Sequence, residues 1–336
     1  MILHPGVLAL LLGGLVSLLM LSAGALLGIR IARRWNPDGA EADQLSLERR
    51  AWLVAVLVRW AIVFEALSLL LFIYTAEVIH PLFVGAMCAT GTLNANPIGW
   101  HLIWIKLLLF LLGGLWMVLN HLDLQCPEAP LTRFKFIALI PFLPLAIADL
   151  TLMVIYFAGL EPEVITSCCG ALFSSGGDGL ASELAALPLR PMMIVFYAGL
   201  AAYGCLVLLS LLSRRPWMHY LLALASGLFL VLGLTAIVSF ISLYIYELPT
   251  HHCPFDMLQR SSNFVGYPIY LSLLGATICG LVQAMLEYLC RIPGLSVITS
   301  RAQRPWLLMT LFFWMLFALL TGWPVLFGPL AMTAYF

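Results

Sequence analysis

Residues 6–34 read GVLALLLGGLVSLLMLSAGALLGIRIARR, and the first twenty-four of them carry no charged side chain. An α-helix rises about 1.5 Å per residue, so about 20 such residues cross the roughly 30 Å hydrocarbon core of a bilayer. This run is long enough to span. Its basic residues, Arg30, Arg33 and Arg34, follow the apolar stretch and no Lys or Arg precedes it, so it reads as a retained helix rather than a cleaved signal peptide.

Working outward, seven more runs of similar length follow, and the expected spans are 6–29, 51–79, 100–120, 137–159, 191–213, 219–246, 267–290 and 306–330. The whole chain is 63% hydrophobic and 10% charged, with a mean hydropathy of +1.04. That leaves too little polar surface for a water-soluble domain, so the solvent is lipid. The expected fold class is all-α: a polytopic integral membrane helical bundle of about eight transmembrane helices. No loop has the length and apolar periodicity of an independent core, so residues 1–336 read as a single membrane domain without a separate soluble domain. No repeat relates the first four spans to the last four, which does not favour the inverted-repeat construction of many transporters.

Short cytoplasmic loops retain Lys and Arg whereas exported loops are depleted of them. Arg30, Arg33, Arg34, Arg49 and Arg50 follow the first span, Arg133 and Lys135 precede the fourth, Arg214 and Arg215 follow the fifth, and Arg291, Arg301 and Arg304 follow the seventh. Twelve of the sixteen basic residues thus fall on one side of an eight-span chain. Arg190 and Arg260 lie on the other, and Arg59 and Lys106 fall within spans. Both termini are expected to be extracytoplasmic, in the pattern of a bacterial inner membrane protein. The exported loops then hold Glu161, Glu163, Asp178, Glu183, Glu247 and Asp256, with Glu77 at one margin, an acidic face that favours cations.

The same assignment sorts the eight cysteines. Cys126 and Cys290 lie towards the cytoplasm, Cys205 and Cys279 within spans, and Cys88, Cys168, Cys169 and Cys253 in the three exported loops. The third loop reads His251-His252-Cys253-Pro254-Phe255-Asp256, and His4, His80 and His101 share its side. Thiolates and imidazoles suit soft metal ions. Cys88, Cys168, Cys169, His251, His252 and Cys253 are therefore the candidate metal ligands, with copper or another soft metal as the ion. Two disulfides stapling the loops are the simplest alternative, with Cys168 and Cys169 reaching Cys88 and Cys253 in either order.

Thiol exchange is the third reading. Cys253-Pro254-Phe255-Asp256 resembles the redox Cys-Pro-x-Cys turn of thiol oxidoreductases with Asp256 in place of the second cysteine, so Cys253 would attack and Cys168, Cys169 or Cys88 would resolve. The adjacent Cys168 and Cys169 resemble the pair of short mercury-transport membrane proteins, which carry theirs inside a helix whereas these lie in a loop.

Charged residues within spans are costly and mark functional sites or internal pairs. Arg59, Glu65, Lys106, Asp149 and Glu287 are such residues; an unpaired Glu65 or Asp149 would stay protonated. The structural expectation is mutual pairing, for example Lys106 with Asp149 or Arg59 with Glu65. No histidine lies in the middle of a span, which disfavours a buried bis-histidine haem, and no phosphate-binding Gly-rich loop occurs. Gly24 and Gly28 are spaced for close helix packing. The expected function is soft-metal handling, as carrier or assembly factor. A membrane thiol-disulfide oxidoreductase is the enzymatic alternative, and a non-catalytic subunit with stapled loops is the other. The expected partners are the lipid bilayer and other membrane or extracytoplasmic proteins, with no nucleic acid.

Overall fold

A computed structural model describes residues 2–35, 42–126, 130–161, 187–213, 215–249, 251–292 and 294–330. Among these residues there is no β-strand, and eight helices are long and apolar enough to cross a membrane. The protein is an all-α polytopic membrane protein. Lipid offers no hydrogen bonds to a backbone, so every spanning segment must satisfy its own amides, and the helix does so within one segment.

Helices α1 (Pro5–Arg34) and α2 (Ala42–Ile79) are followed by a short α3 (Ala89–Asn94) and then α4 (Ile98–Gln125). The fourth span is made of α5 (Thr132–Ile137) and α6 (Phe142–Ala158). Next come α7 (Leu189–Leu212), α8 (Pro216–Ala236), a π-helical turn (Ile237–Ile241) continuing into α9 (Ser242–Tyr246), α10 (Gly266–Leu289) and α11 (Ser296–Phe327). All eight expected spans correspond to these helices. Several boundaries differ, and α11 begins at Ser296, ten residues before the expected 306. Residues 42–50, which precede the expected second span, continue α2 as one 38-residue helix, about 57 Å long. Residues 89–94, in the loop between the second and third spans, form α3.

The chain divides into two compact units, with α1, α2, α4, α5 and α6 in the first and α7–α11 in the second. The short segment Val84–Gly91 also belongs to the second unit, although α2 and α4 flank it in sequence.

In the first unit α1 packs on α2, α5 and α6, and α4 on α2 and α6. The His4 ring Nδ1 accepts the Gly6 N–H at 3.2 Å, with Pro5 at the first helical position, so the start of α1 is capped. Gly24 and Gly28 permit the close approach: a Cβ on Gly24 would stand 2.5 Å from Val58 Cγ2, and one on Gly28 2.5 Å from the Phe136 carbonyl oxygen. The core behind them includes Leu21, Ile31, Val58, Ile62, Trp116 and Phe136. In the second unit α10 packs on α8 and α11, and α7 on α8 and α11.

Polarity runs inside-out relative to a water-soluble protein. Buried side chains include Ser17, Glu65, Lys106, Asp149, Thr277 and Gln283, while Leu12, Leu19, Leu26, Leu224, Leu228 and Val231 are exposed, as a lipid-solvated body requires.

The intramembrane charges divide as follows. Lys106 Nζ lies 2.8 Å from Asp149 Oδ2, the expected pair. Glu65 does not pair with Arg59: its Oε1 accepts the Ser17 hydroxyl at 2.5 Å, and Arg59 lies over the Trp60 ring. Six residues of helix rotate two side chains about 120° apart, so Arg59 and Glu65 look out from different faces of α2. Glu287 Oε2 accepts from His219 Nδ1 at 2.9 Å and from Gln303 Nε2 at 3.0 Å. Lys135, expected as a cytoplasmic loop cation, is buried on Asp123 with Nζ 2.6 Å from Oδ2.

Candidate metal or dithiol centre

The candidate centre belongs to the second unit and is built on the connection between α9 and α10. Helix α9 ends at Glu247 in the left-handed conformation (φ 58°), which turns the chain out of the helix. Two tyrosines then fix the loop by its carbonyls. Tyr246 Oη donates to the Cys253 carbonyl at 2.6 Å, and Tyr270 Oη, from α10, donates to the Pro254 carbonyl at 2.7 Å. The backbone around Cys253 is therefore held from both sides.

The segment Val84–Gly91 supplies the other half. Gln259 Nε2 donates to the Met87 carbonyl at 3.1 Å, tying this segment to the third loop. Cys88 Sγ then stands 3.4 Å from Cys253 Sγ, and Thr90 Oγ1 is 3.5 Å from the same sulfur. Cys88, Thr90 and Cys253 are each fully buried. The Cys253 thiol donates to Asp256 Oδ1 at 3.4 Å, while the Phe255 N–H points at the sulfur from 3.4 Å. Cys88 Sγ, Cys253 Sγ and an Asp256 oxygen all lie within 4.8 Å of one another.

Behind the carboxylate, His251 Nε2 is 2.5 Å from Asp256 Oδ2, and the His251 ring packs edge-on against Tyr246. The hydrogen bond to Asp256 raises the His251 pKa against the opposing effect of burial. Burial raises the Asp256 pKa in turn, partly countered by the His251 hydrogen bond. His251 and Asp256 also line a cavity of about 810 Å³ together with Tyr244, Tyr246, Trp323 and Phe327. The sulfurs are sealed, whereas the carboxylate and imidazole border open space.

No family profile, curated protein or solved structure matches this chain.

Of the candidate ligands, the structure brings together Cys88 and Cys253. Cys168 and Cys169 lie outside the described residues. His251 reaches the centre through Asp256, its ring nitrogen on the carboxylate. His252 turns the other way: its Nδ1–H donates to the Val238 carbonyl at 2.9 Å, and burial lowers its pKa. Val238 lies in the π-helical turn, where the Ser242 N–H bonds back to the Ile237 carbonyl five residues earlier. That widened turn offers a carbonyl to a neighbouring side chain.

Cys88 and Cys253 were expected each to face a cysteine of the second exported loop in the stapled-loop reading; the structure sets them beside each other. Among the described residues no disulfide is formed. Asp256 was noted as the residue replacing a second cysteine, and its position three residues after Cys253 was the available signal for its role beside the sulfur. Thr90, Tyr246, Gln259 and Tyr270 carried no such signal.

Proposed function

We propose that this protein handles a soft metal ion, copper being the best match, at Cys88, Cys253 and Asp256. The observation that carries this reading is the convergence of two buried sulfurs and a carboxylate oxygen within 4.8 Å. Two thiolates supply the softness that Cu(I) and Zn²⁺ select. Tetrahedral bonds of about 2.3 Å would set the sulfurs about 3.8 Å apart, so the observed 3.4 Å needs only a small side-chain rotation. His251 orients the third ligand by holding its other oxygen, the arrangement by which outer groups fix a metal-bound carboxylate. The acidic, basic-poor character of these loops supports an extracytoplasmic position for this centre, in a bacterial inner membrane protein with both termini on the same side. The protein then acts as a carrier or an assembly factor, exchanging its ion with other membrane or extracytoplasmic proteins.

The test is metal analysis and Cu(I) titration, against a competing chelator, of reduced protein purified in detergent. Wild type should bind one ion per chain. Cys88→Ser and Cys253→Ser should each weaken binding by at least about a hundredfold, since a four-ligand structural zinc site is worth about 10–16 kcal/mol in all. His252→Ala should leave binding unchanged. Absence of bound metal in a fully reduced protein would overturn the reading. Labelling of single cysteines placed in each loop by a membrane-impermeant reagent tests the sidedness.

One observation favours a second reading. Sulfurs 3.4 Å apart can close to a disulfide by side-chain rotation, and Asp256 stands ready to take the Cys253 proton. In thiol exchange the two thiols would yield a disulfide, two protons and two electrons, the electrons reducing the disulfide of a partner protein. A mixed disulfide trapped with Cys88→Ser or Cys253→Ser identifies this chemistry. A stoichiometric, reduction-resistant disulfide with no metal instead identifies a stapled, non-catalytic subunit.

A further inference from the structure

A separate cluster lies in the first unit, inside the membrane-spanning helices. Glu65 of α2, Lys106 of α4 and Asp149 of α6 are each no more than 4% exposed. Lys106 Nζ donates to Asp149 Oδ2 at 2.8 Å and to Ser68 Oγ at 3.1 Å, while the Ser68 hydroxyl donates to the Glu65 backbone carbonyl at 2.7 Å. From α1, Ser17 donates to Glu65 Oε1 at 2.5 Å. Glu65 Oε2 and Asp149 Oδ1 are both buried without a hydrogen-bond partner.

Charge and hydrogen bonding reach the same result. Two carboxylates face one ammonium, so if both were ionised the cluster would hold a net negative charge in a hydrocarbon surround, where an uncompensated charge is strongly unfavourable. Helix α1 offers no titratable side chain between Pro5 and Arg30, and Lys106 and Asp149 are the titratable groups that α4 and α6 bring to Glu65. Arg59, on α2 itself, is turned onto Trp60. No second cation is present in this set. Lys106 is committed to Asp149, which leaves Glu65 as the carboxylate with only a serine hydroxyl on one oxygen.

We propose that Glu65, Lys106 and Asp149 form an intramembrane proton-binding site in which Glu65 carries one exchangeable proton beside the Lys106–Asp149 pair. The proton sits on the Glu65 carboxyl and leaves it as a carboxylate, with water at the membrane surface as the final acceptor; no electron is transferred. Ser17 accommodates both states, since its hydroxyl donates to Oε1 in either. The site is independent of the metal reading, and each stands or falls by its own measurement.

Dicyclohexylcarbodiimide, an apolar reagent that couples to protonated carboxyl groups, provides the test on the full chain in detergent, with peptide mass spectrometry locating the adduct. Glu65 should be labelled near neutral pH, and Na⁺ should not protect it. Above the midpoint of the titration, labelling should fall about tenfold per pH unit, as simple proton dissociation dictates. Lys106→Met should retain the Glu65 adduct and add one at Asp149, whose counter-charge is gone; this readout leaves Glu65 itself unchanged. A pH-difference infrared spectrum should show a protonated carboxyl band in wild type that Glu65→Gln lacks, and this decides the matter where the reagent fails to enter. Absence of that band, labelling of Asp149 in place of Glu65 in wild type, or protection by Na⁺ at fixed pH overturns the proposal.

Discussion

Substitution of Asp123 should be among the most disruptive single changes in the first unit. Its carboxylate is 1% exposed and meets three needs at once between the end of α4 and the start of α5. Oδ1 accepts the Leu131 N–H at 2.8 Å; Oδ2 accepts the Thr132 hydroxyl at 3.0 Å and lies 2.6 Å from Lys135 Nζ. The Cys126 N–H meanwhile closes the end of α4 on the Asp123 carbonyl at 3.2 Å. Asp123→Ala leaves the backbone carbonyl but removes the rest. The Lys135 ammonium would keep a 3.2 Å bond to Asn120 Oδ1 and no counter-charge. Breaking one side of a buried ion pair costs about 3–5 kcal/mol, and the stranded Leu131 N–H adds about 1–3 kcal/mol. The two penalties share a site and will not sum fully. Asp123→Asn keeps one acceptor oxygen and should lose less, and Asp123→Ala combined with Lys135→Met should recover much of the loss. Equilibrium unfolding of the purified variants in mixed detergent micelles measures each value. An Asp123→Ala loss below about 1 kcal/mol, the range of exposed pairs, would refute the argument.

Glycine positions provide a contrast within one assay. Gly28→Leu should destabilise by at least about 1–3 kcal/mol, because the added side chain meets the Phe136 carbonyl. Gly227→Ala meets nothing within 4 Å and should be neutral or stabilising by about 0.5–1 kcal/mol in the same unfolding measurement. Tyr246→Phe removes the bond to the Cys253 carbonyl, so it should lower stability by about 1 kcal/mol. The same variant should weaken Cu(I) binding severalfold while leaving the stoichiometry at one, as chelator competition would show.

The spans were legible because the bilayer imposes a length and a composition on each segment, and both are local properties of sequence. The Lys106–Asp149 pair was legible for a related reason: two opposite charges at similar depth in hydrocarbon have few other partners. Arg59 and Glu65 met the same depth criterion and still failed to pair, because depth carries no information about helical azimuth; Ser17 on α1 occupied the place expected for Arg59. Lys135 was read by its loop position as a solvated cation, yet Asp123 captures it in a buried contact that no periodicity reveals. At the candidate centre the cysteines were visible as residue types, but the choice of Cys88 for Cys253 depends on a contact between loops far apart in sequence. Gln259 and the two tyrosines that set this contact have no distinguishing pattern along the chain.

The assignment of Val84–Gly91 to the second unit bears on how the protein is made. Cys88 precedes Cys253 by 165 residues. At a synthesis rate of about 5–20 residues per second, the first thiol leaves the ribosome roughly 8–33 s before the second. Throughout that interval four more spans are being threaded into the bilayer while Cys88 waits without the neighbour that will later bury it. The centre is thus completed late, after six of the eight spans have been made, and whatever oxidant or metal the nascent chain meets during the delay acts on an open thiol. Biogenesis of this protein should therefore respond to the redox conditions that its nascent loops meet, before the finished fold seals both sulfurs away.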